Sequence, residues 1–281
     1  MRLGIFAKTF PGTAPGPVFA AVAKAGYAAT QYNMACSGLP SMPDTVPEEI
    51  ARGVAEAARA SGVTVAALSA TYNMIHPDRA ERERGDRRIA VLAASAKRMG
   101  TRLLTLCTGT RDPDDQWRGH PDNATPEAWR DLRAAMDRAL DVAEAHDIDL
   151  GIEPELANVV NSAVQARRLI DQVGSDRLKI VFDAANLFEA EPPGRQRDIV
   201  SAAIDLIGDR IVMAHAKDRM ASGDFTTAGQ GVLDYPHYLG ALSRAGFAGP
   251  LVTHGLTADE APGVATFLRT TLAGLGDRAG S

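Results

Sequence analysis

The sequence has few of the features that mark membrane proteins or disulfide-linked proteins. It has no run of about 18 apolar residues, so we expect no membrane-spanning helix. Its first segment, MRLGIFAKTFPG, is too short in apolar residues for the core of a secretory signal peptide. Only two cysteines occur among 281 residues, and Cys36 and Cys107 lie far apart in the chain. This usage argues against a disulfide framework and favours a cytoplasmic protein.

The sequence also has no long run of Lys or Arg, and its formal net charge is −5. Nucleic-acid surfaces are usually basic, so this charge argues against a general surface of that kind. No G-x-G-x-x-G or P-loop pattern follows an early strand, which counts against an open doubly wound sheet, the second fold considered. We therefore expect neither a nucleic-acid nor a membrane partner, and homo-oligomerisation stays open.

What the sequence does contain is a regular alternation of short β-rich runs and longer helical patterns. The short runs are mostly apolar and are bounded by polar, Gly or Pro residues, as is typical of strands buried on both faces. The predicted strands are Leu3–Ala7, Ala29–Tyr32, Thr64–Leu68, Leu103–Cys107, Leu150–Glu153, Lys179–Asp183, Ile211–His215 and Pro250–His254. The predicted helices are Glu48–Ser61, Arg82–Met99, Ala124–Ala145, Ser162–Val173, Arg195–Ile207, Tyr235–Ala245 and Ala258–Ala273.

Eight such strands alternating with helices predict a closed parallel (β/α)8 barrel, a TIM barrel. The chain length suits one barrel domain over residues 1–281, with a C-terminal helix and a short tail. The clearest helix begins after Thr125, which can cap it, and Pro126 suits its first position.

Four successive predicted strands end in residues that can bind a metal: Glu153, Asp183, His215 and His254. In a barrel, side chains at the carboxyl ends of the strands converge on one pocket. Each residue alone is more typical of a helix cap, an ion pair or a core histidine. A divalent cation shared by all four offsets the cost of burying the carboxylates. We therefore predict one bound ion, Mn²⁺ first and Mg²⁺, Co²⁺ or Zn²⁺ as alternatives.

Several stretches resemble the sugar phosphate isomerase/epimerase family, which shares its fold with xylose isomerase and the endonuclease IV enzymes. They are YNMIHPD after the third strand, GIEPE at the fifth, VFDAANLF at the sixth, HAKDR at the seventh, and GQGVLDYPHYLGAL beyond it. The resemblance covers nearly the whole chain and implies a xylose-isomerase-like barrel. It also implies a metal held by Glu, Asp, His and Glu. Glu153, Asp183 and His215 match three of these positions, whereas His254 stands where the family usually has Glu.

Two further residues are candidates for the chemistry itself. Glu155 lies two residues beyond Glu153 and is a candidate base, or a partner of the ligands, or a surface carboxylate. Lys217 alternates with His215, so it can face the pocket and stabilise a developing oxyanion, or form an ion pair in the barrel.

Four residues are candidates for contacts with substrate. His76 follows the third strand, Asn186 lies three residues beyond Asp183, and Arg219 follows Lys217. Trp117, in the long segment 108–123, is expected to wall the pocket or to anchor its own loop, because aromatic faces suit sugars.

These residues predict proton abstraction from a carbon next to a carbonyl, with a metal polarising that carbonyl. The expected substrate is a small carbohydrate: a keto-sugar, a sugar phosphate or a related polyol. Isomerisation and epimerisation are the first candidate reactions. Elimination from a keto-sugar or keto-inositol is the alternative, and it is favoured by His254 in place of the usual glutamate. Two rarer readings are an endonuclease IV-like phosphodiesterase, which needs more than the six histidines present, and a non-catalytic sugar-binding subunit.

Overall fold

The apolar runs form parallel strands that close into a barrel in the computed structural model, which describes residues 1–279. Within these residues the barrel has eight strands, in the order β1-β8-β7-β6-β5-β4-β3-β2 around the axis. They are β1 Arg2–Phe6, β2 Ala29–Tyr32, β3 Thr64–Ser69, β4 Leu103–Cys107, β5 Asp149–Glu153, β6 Leu178–Asp183, β7 Ile211–Ala216 and β8 Pro250–Thr253. The predicted TIM barrel is confirmed.

Helices cover the outside of the barrel, and the main apolar core lies between them and the strands. In the described part of the chain they are α1 Pro15–Lys24, α2 Glu48–Ser61, α3 Arg79–Ala96, α4 Pro126–His146, α5 Ala163–Val173, α6 Pro193–Ile207, α7 Tyr235–Arg244 and α8 Ala261–Ala279. None of them has the length and apolarity needed to cross a bilayer. Residues 280 and 281, the end of the predicted tail, lie outside the described residues.

Helix α1 is absent from the helices predicted above. Its segment opens with PGP, and Pro and Gly are strong turn signals. In the first turn of a helix, however, the backbone N–H groups have no intrahelical acceptor, so Pro15 and Pro17 are tolerated there. Helix α4 instead begins as predicted, since the Thr125 hydroxyl accepts from the Ala128 N–H at 3.2 Å.

Alternation along the strands places the polar residues in one layer inside the barrel. Val181, Met213 and Val252 belong to an apolar cluster in the barrel interior. Side chains two residues further along a strand point the same way, so Asp183, His215 and His254 lie above that cluster. Asp183 of β6 also pairs in register with His215 of β7. The strand ends therefore form a polar layer on an apolar floor.

The loop after β7 is held by a buried carboxylate. Asp218 accepts hydrogen bonds from the backbone N–H groups of Arg219, Gly229, Gly231 and Leu233, at 2.8–3.1 Å. A Cβ at Gly231 would lie 2.1 Å from the Arg219 carbonyl oxygen, so only glycine fits there. The GQG stretch thus anchors the loop beside the barrel mouth.

Candidate metal centre

The four predicted ligands converge at the carboxyl end of the barrel. One ligand atom from each of Glu153, Asp183, His215 and His254 lies within 4.8 Å of the others. His215 Nδ1 is 3.2 Å from Glu153 Oε1, and His254 Nε2 is 3.1 Å from Asp183 Oδ2. A tetrahedral ion with bonds of about 2.1 Å separates its ligands by about 3.4 Å. The donor set and its spacing therefore fit one divalent metal ion.

His254 reaches this group from just beyond the end of its strand. Strand β8 ends at Thr253, one residue earlier than predicted, and His254 follows it. Its ring lies 4.4 Å from the His215 ring, centroid to centroid. Two imidazoles and two carboxylates together carry one negative charge fewer than a set with three carboxylates.

The ligands are electrostatically linked to one another. Burial opposes charge on His215, but the Glu153 charge and the hydrogen bonds that the ring donates to Asp183 and Glu153 outweigh it and raise the pKa of His215 to about 9. Burial, followed by the nearby His215 charge, lowers the pKa of His254. A cation bound here must displace the proton on His215 Nδ1, so binding releases a proton.

Gln31, from the opposite side of the barrel, orients the His215 ring and was not among the predicted site residues. Its Oε1 lies 3.0 Å from His215 Nε2, and its Nε2 donates to Thr105 Oγ1 at 2.9 Å. The register of β2 on β3 shifts between Thr30 and Gln31, where Ala66 of β3 is the extra residue. With Nε2–H donated to Gln31, the lone pair on Nδ1 faces the ligand group.

Asn186 and Lys217 form a chain of hydrogen bonds to the Glu153 carboxylate. Asn186 Nδ2 donates to Glu153 Oε1 at 2.7 Å, and Lys217 Nζ donates to Asn186 Oδ1 at 3.2 Å. The Lys217 ammonium also lies 3.2 Å from the centroid of the Phe225 ring. Both residues line the pocket, and the structure places Asn186 where it fixes a ligand.

Glu153, His215 and His254 form the floor of an open pocket of about 470 Å³, and Asp183 is buried beneath them. Glu155 is half-buried in the wall of this pocket. Burial, followed by the Glu153 charge, raises the pKa of Glu155 to about 7. The nearby Asn158 side chain is engaged elsewhere, since its Oδ1 accepts from the Gly109 N–H at 2.7 Å and holds the loop after β4.

Two exposed aromatic side chains, Trp117 and Phe225, also line this pocket, with exposed fractions of 55% and 46%. Arg219, a predicted substrate contact, is buried instead. Its Nε donates to the Ala185 carbonyl oxygen at 2.6 Å, and its guanidinium lies 3.8 Å from the centroid of the Phe225 ring. The structure thus puts Trp117 at the pocket and Arg219 beneath Phe225.

His76 lies in a neighbouring groove, with both ring nitrogens engaged. Its Nδ1 accepts from the Asp78 N–H at 3.0 Å, so Nε2 carries the proton and donates to the Pro113 carbonyl oxygen at 3.0 Å. These bonds tie the loop after β3 to the loop after β4.

Comparisons with known proteins agree on the fold. The family model for xylose isomerase-like TIM barrels matches residues 19–269. No curated protein matches the chain. Among solved structures, an L-ribulose 3-epimerase is 18% identical with a TM-score of 0.77, over 99% of this chain and 96% of that one.

Two further solved structures are similar. A 3-keto-D-glucoside 4-epimerase from E. coli is 17% identical with a TM-score of 0.73, over 99% of both chains. The IOLI protein with a binding zinc atom is 17% identical with a TM-score of 0.72, over 98% of both chains. At such low identities the likeness shows the fold, and activity must be argued from the site.

Proposed function

The chain belongs to the xylose isomerase-like TIM barrel family, and we propose that it is a divalent-metal-dependent isomerase or epimerase of keto-sugars, sugar phosphates or related polyols. The observation that carries this proposal is the position of Glu155. It lines the pocket whose floor is formed by Glu153, His215 and His254 of the ligand group. A base beside an ion that binds the substrate carbonyl is what proton abstraction requires.

Each residue has a distinct part in this proposal. Glu153, Asp183, His215 and His254 would hold the ion, whose bound form supplies Lewis-acid polarisation of the substrate carbonyl. Glu155 takes the proton from the adjacent carbon. The Lys217 ammonium, at the pocket wall, stabilises negative charge on the substrate oxygen. Asn186 holds both Glu153 and Lys217, so it keeps ligand and ammonium in place.

The ion itself is part of the proposal. Two carboxylate oxygens and two imidazole nitrogens suit Mn²⁺, Co²⁺ and Zn²⁺ better than Mg²⁺, which prefers oxygen ligands. We keep Mn²⁺ as the first candidate. Cys36 and Cys107 are free and buried, which fits our expectation of a cytoplasmic protein.

A second candidate function is elimination from a keto-sugar or keto-inositol, and His254 favours it. Epimerisation with a carboxylate on each face of the substrate needs a second carboxylate, and the usual fourth glutamate is replaced by an imidazole. A lyase or dehydratase needs one base to remove the α-proton and an acid to assist the leaving group. Glu155 supplies the first of these.

A nuclease with several metal ions is disfavoured, because the histidines outside the ligand group do not form a second metal site in the described residues. Among the described residues, the one group able to hold a metal is Glu153, Asp183, His215 and His254. His76 is engaged between loops, and His237 lies on α7, where its ring contacts Ser201 at 2.9 Å. A cluster of several metals therefore lacks its ligands.

Solvent deuterium exchange tests the proposal. The Mn²⁺-loaded protein is incubated in D₂O with a panel of ketohexoses and keto-inositols, and NMR follows deuterium at the carbon next to the carbonyl. We expect exchange or turnover with at least one compound and its loss in Glu155→Gln, which keeps metal affinity. Glu56→Gln, an exposed change on α2, is the matched control. Equal exchange in Glu155→Gln and the control would contradict the role of Glu155, and no exchange with any compound would contradict the proposed function.

A further inference from the structure

The pocket above the ligands adjoins a second hollow of about 490 Å³. The two share Thr71, Gln116 and Trp117, which line both. The second hollow, called the side groove here, lies between the start of α3 and the loop 112–117. Small-molecule sites usually occupy about 300–1,000 Å³. The two adjoining hollows together have room for a ligand longer than one sugar ring.

The junction between the hollows is a rigid aromatic surface. Trp117 is 55% exposed, yet its backbone is fixed, because its N–H donates to Asp115 Oδ1 at 2.9 Å. Asp112 accepts from the N–H groups of Asp114 and Asp115 at 3.0 and 2.9 Å and pairs with Arg118. An exposed indole on a braced loop loses little conformational freedom when a ring covers it.

The charges of the side groove favour an uncharged ligand over a phosphorylated one. Its lining carries two guanidinium groups and four carboxylates, from Arg84, Arg88, Glu81, Asp112, Asp114 and Asp115. Arg84 pairs with Glu81 at 2.9 Å, and Arg88 pairs with Asp44 at 2.7 Å, so both cations are already neutralised. Arg118 pairs with both Asp112 and Asp114, so one guanidinium faces two carboxylates there, and Asp115 adds a third. The remaining excess of acid repels anions and leaves acceptors for hydroxyl groups.

From this geometry we propose that the preferred substrate is a glycosylated keto-sugar. Its keto-sugar unit lies over the ligand group, and a second, uncharged sugar ring lies on Trp117 in the side groove. The inference rests on the proposed function, because it assumes that a keto-sugar binds at the ligands. It adds the side groove as a second binding site and predicts that a free monosaccharide is a poor substrate.

The test compares sugars with and without the second ring. Isothermal titration calorimetry of the Mn²⁺-loaded protein measures binding of D-fructose and of its glycosides lactulose, maltulose and isomaltulose. We expect at least one disaccharide to bind at least about tenfold more tightly than fructose, the gain from one or two good contacts. Arg84→Ala should reduce that preference several-fold and leave fructose affinity unchanged.

Arg87→Ala is the matched control, because Arg87 is exposed on the same helix and does not line the groove. It should change neither affinity. Trp117→Ala should weaken the binding of fructose and of the disaccharide, and the loss should be larger for the disaccharide. Equal affinity for fructose and all three disaccharides overturns the inference, as does a preference that persists in both Arg84→Ala and Trp117→Ala.

The same samples in D₂O separate this inference from the proposed function. A disaccharide preference without deuterium exchange supports the side groove and counts against the proposed chemistry. Exchange with fructose and the disaccharides at equal affinity supports the chemistry and overturns the side groove.

Discussion

Replacing Gln31 by leucine should weaken metal binding although Gln31 touches no metal. In a loaded site His215 binds through Nδ1, so Nε2 must carry the proton. That proton is donated to Gln31 Oε1, 3.0 Å away in a buried position. In Gln31→Leu the Nε2–H group has no acceptor. The metal-free ring of the variant can instead lose its Nε2 proton and keep the one on Nδ1, which faces Glu153 Oε1 at 3.2 Å. The penalty therefore falls mainly on the loaded state.

The size of the effect follows from that difference. Leaving a buried donor unpaired costs about 1–3 kcal/mol. Because each 1.4 kcal/mol is a factor of ten, the affinity should fall roughly 5- to 150-fold. This range overlaps the roughly 10- to 100-fold losses typical when a hydrogen-bond partner of a ligand is removed.

Competition with a fluorescent chelator measures the affinity for Zn²⁺ and Co²⁺. The matched control is Gln31→Glu, whose carboxylate still accepts from Nε2–H while the Thr105 hydroxyl donates to it. This variant should bind at least as tightly as the parent protein, since a carboxylate partner raises ligand basicity. Circular dichroism checks that both variants fold. If Gln31→Leu binds Zn²⁺ within about twofold of the parent, or if ¹⁵N NMR shows His215 protonated on Nδ1 in the loaded parent, the reasoning is refuted.

Three further outcomes are expected. The purified protein should bind about one equivalent of divalent metal by elemental analysis, and a chelator should lower its Tm, since an ion at 100 times its Kd stabilises the folded state by about 2.7 kcal/mol. Asp183→Asn should lower metal affinity by at least about 100-fold, the upper range for lost outer partners, with a folded circular dichroism spectrum. Hydrogen bonds from Lys97 and Arg177 lower the pKa of Asp147 from 3.8 to about 2. Its contribution is therefore present above pH 3.8 and lost as the pH falls through about 2. Asp147→Asn, which tolerates the observed φ of 53°, should lower the Tm at pH 7, and the gap should shrink towards pH 2.

The strands and the ligand group could be predicted because both follow from the order of apolar and ionisable residues within short segments. A strand buried on both faces is apolar throughout, so an ionisable residue at its end is conspicuous. Strands β2 and β4 have the predicted bounds, and the strand-end residues Glu153, Asp183 and His215 meet as expected. Barrel closure then brings successive strand ends together without any further information from the sequence.

The contact between Gln31 and His215 could not be predicted from the sequence pattern. Gln31 lies on β2, across the barrel from His215 on β7, and 184 residues separate the two in sequence. The register of β2 on β3 also shifts at Gln31, with Ala66 of β3 as the extra residue. Nothing local in ATQY indicates this shift or the contact with His215, because both arise from how distant strands meet when the barrel closes.

The candidate substrate contacts expose a different limit, since a polar residue near a pocket is free for substrate only if the protein leaves it unused. Asn186 is engaged by Glu153 and Lys217, His76 by two backbone groups, and Arg219 by a carbonyl oxygen and the Phe225 ring. A buried polar group must find partners within the fold, and those partners come from loops whose paths the sequence does not reveal. Trp117 is the reverse case. Its indole is 55% exposed at the pocket, on a loop braced by several hydrogen bonds, so it stays available for the sugar ring that we propose.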